Sequence, residues 1–184
     1  ELIERQRALE ARPSTAPDVD LARALDHADS GHLGEARRQL NSLLERRPRD
    51  PALLAASAEI HARAGESELA ERQWLELLEV GTDAVRLAAL SGLIANHERE
   101  PGPSQQLERW YVQKLALTPD DVAARTALVG LFTMRGAWAE ASVHQRELLA
   151  RAADDLERRD RLLHLVEILD RVPGGASQAE SLLE

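Results

Sequence analysis

Gly31-His-Leu-Gly-Glu-Ala36, Gly65-Glu-Ser-Glu-Leu-Ala70 and Gly136-Ala-Trp-Ala-Glu-Ala141 are three versions of one phrase: a glycine, four residues, then an alanine. Gly31 and Gly65 stand 34 residues apart, and Gly136 follows Gly65 after 71, room for units of 34 and 37. The residues after each alanine repeat as well. Leu40, Leu43 and Leu44 follow Ala36; Trp74, Leu77 and Leu78 follow Ala70; Gln145, Leu148 and Leu149 follow Ala141. Offsets of 4, 7 and 8 lie on one face of an α-helix. Helix stops recur with the same period, at Pro13, Pro48, Thr82 and Pro119.

Each unit therefore reads as two helices. The first runs into a glycine able to take the left-handed conformation that ends a helix. The second starts within a few residues, and its small Ala36, Ala70 or Ala141 lets the paired axes approach. A proline then breaks the chain before the next unit. One such pair cannot bury its apolar face alone; stacked pairs share a continuous core. Composition agrees. Aromatics make up 3% of the 184 residues, leaving Leu and Ala, both good helix formers, to build the core. No alternating apolar–polar run bounded by turns suggests a strand.

Further residues carry a resemblance. Leu128-Val129 and Phe132 precede Gly136, and both Tyr111-Val-Gln-Lys-Leu-Ala-Leu-Thr-Pro119-Asp-Asp and Arg7-Ala-Leu-Glu-Ala-Arg-Pro13 read as second-helix endings. On these motifs nearly the whole chain resembles the tetratricopeptide repeat (TPR) family. The resemblance implies an all-α fold, a right-handed α-solenoid of stacked antiparallel helix pairs forming a TPR superhelix. The expected division is a single solenoid over 1–184. Residues 1–12 form the second helix of an upstream repeat, and repeats span about 17–50, 51–84, 85–121, 122–155 and 156–184. Two loops depart from the pattern: His97-Glu-Arg-Glu-Pro-Gly-Pro103 in the third repeat, and Pro173-Gly-Gly175 in the fifth. Because the chain opens with Glu in helical sequence, it reads as a fragment of a larger protein; 22 of its 23 basic residues are Arg, which suggests a GC-rich bacterial genome.

Sequence motifs for chemistry are missing. There is no cysteine, hence no thiol catalysis, disulfide or thiolate metal site. No phosphate-binding Gly-rich loop, G-x-S-x-G or H-E-x-x-H occurs. The six histidines show no ligand spacing, so neither metal nor other cofactor is expected and the chain reads as non-enzymatic. Asp120-Asp121, directly after Pro119, reads as a helix cap rather than a catalytic pair. No apolar run reaches the roughly 18 residues of a membrane-spanning helix. The net charge of −9 repels phosphate backbones, so nucleic acid is not an expected partner. The chain is compatible with either cytoplasm or periplasm.

What the family resemblance adds is a surface. In TPR proteins the first helices of the repeats line a concave groove that takes ligands. Carried over by residue, the lining is Asp18, Leu25 and Asp29, with Ala28, in the first repeat, and Ala55, Glu59 and Arg63, with Ala52 and Ala62, in the second. It continues with Arg86, Ala89, Leu93, Asn96 and His97 in the third, Thr126 and Gly130, with Ala123, Thr133 and Met134, in the fourth, and Glu157, Asp160, His164 and Glu167 in the fifth. These slots lack the Lys, Arg and Asn cluster with which chaperone-binding TPR domains grip a carboxylate. Trp74 and Trp138 fall at packing positions. Trp110 lies about 100° around the helix from the packing slot of Tyr111, beside the long loop, so it reads either as packed on an adjacent repeat or loop or as a partly exposed binding residue. The expected function is a protein–protein interaction scaffold of a larger bacterial assembly, holding a basic or mixed-charge protein or peptide segment. Two alternatives stand beside it: a periplasmic segment of an exopolysaccharide export apparatus that recruits a modifying enzyme or guides polymer, and a structural spacer.

Overall fold

The computed structural model describes residues 19–98 and 104–183. The expectations placed on residues 1–12, Pro13 and Asp18, and on 99–103 of the long loop, lie outside the described residues. Among the described residues the chain is all helix, with no strand: α1 Val19–Asp29, α2 Leu33–Arg46, α3 Pro51–Arg63, α4 Ser67–Val80, α5 Asp83–His97, α6 Gln105–Leu117, α7 Val122–Arg135, α8 Trp138–Ala150, α9 Asp155–Leu169 and α10 Ala176–Leu183. The chain divides into two compact units, Glu1–Glu76 and Leu77–Glu184, and the division falls within α4.

In the first unit α1 packs on α2, α2 on α3, and α1 also meets α3. The core is Ala24, Ala28, Ala36, Leu40, Leu43, Leu53 and Ile60, with Leu21, Leu33, Leu44 and Ala56 against it. The fully buried alanines Ala24 and Ala36 place nothing beyond a methyl group on this core, so the helices close on each other while the leucines fill the space beside them. Each fully buried leucine contributes about 1.5–3 kcal/mol. In the second unit consecutive helices pack in chain order from α5 to α10. Leu77, Leu90, Leu93, Trp110, Leu128, Leu148, Leu165, Ile168 and Leu169 are its most deeply buried large side chains.

The repeated glycines end their helices identically. Gly31, Gly65 and Gly136 have φ of 83°, 76° and 76°. At each, the glycine N–H donates three residues back and the next N–H five residues back. His32 reaches His27 O at 2.8 Å, Glu66 reaches His61 O at 2.9 Å, and Ala137 reaches Phe132 O at 2.8 Å. This is the Schellman arrangement, which satisfies carbonyls that a helix end leaves open. Helix starts are equally explicit. Asp50 accepts from Ala52 N and Leu53 N, with Pro51 at the first position of α3. Ser104 caps α6, Asp121 caps α7 and Asp154 caps α9. Of the Asp120-Asp121 pair only Asp121 caps, at 2.8 Å from Ala124 N; Asp120 stays exposed, 3.6 Å from Arg151.

Candidate interaction surface

The caps set which face of each first helix turns outward. On α3, with Asp50 as cap, Leu53, Leu54, Ser57, Ala58, Ile60 and His61 are buried, leaving Ala52, Ala55, Glu59 and Arg63 exposed. On α7, with Asp121 as cap, Ala124, Arg125, Leu128, Val129, Leu131 and Phe132 are buried, and Ala123, Thr126, Gly130 and Met134 are exposed. The two outward stripes share the spacing 3, 4, 4, one helix face. On the α7 stripe none of the four side chains is charged. Met134 is 64% exposed, and a Cβ at Gly130 would meet nothing within 4 Å.

On α5 the structure corrects the residues read from the sequence. Ala89 and Leu93 are core residues, 1% and 0% exposed, while Arg86, Asn96 and His97 are half-buried. The outward stripe is Ala84, Ala88, Ser91 and Ala95. A register starting at 85 misses because Thr82 is the N-cap and the helix begins at Asp83. Two residues of phase rotate the assigned face by about 200°.

Trp110 takes the packed of its two readings, not the exposed one. It is buried, 1% exposed, with the His97 ring edge-on at 4.5 Å. The inward face of α6 is wide enough for Leu107, Trp110, Tyr111 and Leu115 together, so Tyr111 does not displace its neighbour outward. Trp138 moves the other way. Assigned to packing, it is half-buried, and the Arg171 guanidinium stands 5.8 Å from its ring centroid. As the first residue of α8 it projects toward the helix start, off the packed face. It joins Thr133, His164, Glu167, Ile168 and Arg171 around a cavity of about 420 Å³. Trp74 is buried at 7% exposure.

In the first unit Leu25 (40% exposed) and Asp29 lie on the outside of α1. Asp29 and Arg63, both sequence candidates, pair with each other: Arg63 Nη1 is 3.2 Å from Asp29 Oδ1, and Nη2 donates to Ala28 O at 2.7 Å. Part of the ionic character read for this surface is therefore spent on tying α3 to α1. Glu66 closes a second link. Its carboxylate takes Arg37 of α2, and the other oxygen lies 2.5 Å from Nδ1 of buried His61. His61 and then Arg37 hold the Glu66 carboxyl below the usual range. The signal for it was its place directly after a helix-ending glycine, where the chain turns back past both helices.

Among the described residues no group of three or more His, Asp and Glu converges as a metal cage would require, and no helix is long and apolar enough to cross a membrane. No family model and no curated protein matches the sequence. Solved structures do match in fold, 38 chains among them. A tetratricopeptide repeat protein from Parabacteroides merdae aligns with a TM-score of 0.54 at 18% identity, over 96% of this chain and 67% of its own. At that identity the likeness is one of fold: among the described residues the chain is all-α, with helices packed consecutively from α1 to α3 and from α5 to α10, similar in architecture to a tetratricopeptide repeat protein.

Proposed function

We propose that this chain is a non-catalytic protein–protein interaction scaffold within a larger assembly, and that the outward faces of its first helices hold a segment of the partner. One observation carries the reading: the charge-free stripe Ala123, Thr126, Gly130 and Met134 on α7, in a chain where 30% of residues are charged. Ala84, Ala88, Ser91 and Ala95 make a second such stripe on α5. Small side chains let a partner backbone approach closely, as helix-in-groove and extended-chain recognition both require. The exposed Met134 adds an adaptable apolar contact. The net charge of −9 favours a basic or mixed-charge segment, drawn in by long-range attraction.

The test is affinity capture from extracts of the host organism, with the native chain and a Gly130→Trp/Ala88→Arg variant on parallel columns. Both positions are exposed, so circular dichroism should show the variant folded. A protein retained by the native chain and lost by the variant supports the reading, and its release by added salt supports the charge argument. Identical retention on both columns removes the site from these faces, and no retention on either favours a spacer.

A further inference from the structure

His144 on α8 is half-buried, its ring stacked on Phe132 of α7 with centroids 5.5 Å apart and planes 16° from parallel. Its Nδ1 is buried and has no hydrogen-bond partner. The charges around the ring are set against a second proton. From α7, Arg125 faces it, held in place by its own Nη2 donating to Pro119 O at 2.7 Å. On α7 also, the Arg135 guanidinium lies 5.5 Å from the Phe132 ring that His144 stacks on. The acid acting on the ring is Glu147, one turn along α8, and Arg151 already engages it. From α9, Arg161 O accepts from Gln145, the neighbour of His144.

We propose that the α7–α8 pair is a proton-sensitive element, in which an imidazolium at His144 loosens α8 from α7, the helix that presents Thr126 and Gly130. A charged ring there would sit beside a fixed guanidinium with an unsatisfied buried nitrogen, whereas an opened pair lets water solvate it. Burial first, and Arg125 second, push the His144 imidazole below its ordinary 6.5, with Glu147 opposing. The opened form therefore takes the proton first. Packing is at full strength above pH 6.5 and weakens as pH falls from there toward the lower, folded-state value. The loosening belongs to the free chain, so it stands apart from the interaction reading.

Hydrogen exchange of the full chain at about pH 7.5 and about pH 5.5 tests it, with His144→Gln beside the native protein. Expressed as protection factors, α7 and α8 should lose protection on acidification in the native chain and hold it in the variant. Equal loss in both overturns the proposal. Should the variant fail to fold, a ring titration of native His144 by NMR decides: a midpoint below 6.5 supports the device, and one at or above 6.5 overturns it.

Discussion

Two glycines in the second unit have opposite roles, and one methyl group separates them. Gly136 holds φ at 76°, a left-handed conformation that costs an L-residue about 1–2 kcal/mol. Gly130 sits in the middle of α7 at ordinary helical angles, with open space where a Cβ would go. Gly136→Ala should therefore lower stability by about 1–2 kcal/mol, while Gly130→Ala should raise it by about 0.5–1 kcal/mol through helix propensity. Urea titration of the two variants checks the pair of signs. Equal effects would mean that the φ at 136 relaxes freely or that Gly130 is not a helix-interior residue. The sequence announced Gly136 through its recurrence at Gly31 and Gly65; nothing local distinguished Gly130 as exposed.

At the scale of the element, caps matter more than propensity because they set the phase of each face. Asp121 accepts from Ala124 N and also pairs with Lys114 at 2.9 Å; both interactions hold its carboxyl below the usual range, the backbone bond most strongly. Asp121→Ala should cost about 0.5–2 kcal/mol, the ordinary loss of a helix cap. Asp120→Ala should be nearly neutral, since its bridge to Arg151 is at the surface. Thermal unfolding of the two variants distinguishes them, and a larger loss at 120 would reverse the assignment. Helix ends were the most legible part of this fold, because a cap is chemistry between residues two to five apart. The phase of α5 was not. Thr82 caps it without a side-chain hydrogen bond, so the cue that marks α3 and α7 as an Asp is weak there.

For the whole molecule, the carboxylates make acid stability predictable. Glu35, Glu66 and Glu147 lie below their ordinary 4.5, and Asp121 below 3.8, each through a hydrogen bond to a cation, to His61 or to a backbone N–H. A carboxyl lowered in the folded state favours folding above its ordinary value, and that contribution disappears as pH falls through the folded-state value. The midpoint of thermal unfolding should thus hold through neutrality as far as carboxylates are concerned and drop below about pH 4.5. Glu66→Gln should lower the midpoint at pH 7 and converge on the native value in acid, where the native chain has lost the same link to Arg37 and His61. A gap that persists unchanged at low pH would show that Glu66 acts by packing rather than charge.

Local periodicity determined that helices form, where Gly31, Gly65 and Gly136 end them, and that Ala36, Leu40 and Leu43 face inward. Those are properties of neighbouring residues, and the 3.6-residue turn carries them. Which remaining faces are covered was decided in the tertiary structure. Trp110 is buried by His97 and the core of α6, Trp138 is left half-open beside Arg171, and Asp29 and Arg63 neutralise each other across 34 residues of chain. Each of these depends on groups brought from distant positions, and each turns on the angle between packed helices. In a helix, an error of one residue moves a side chain by about 100°, so an irregular loop is enough to exchange core for surface.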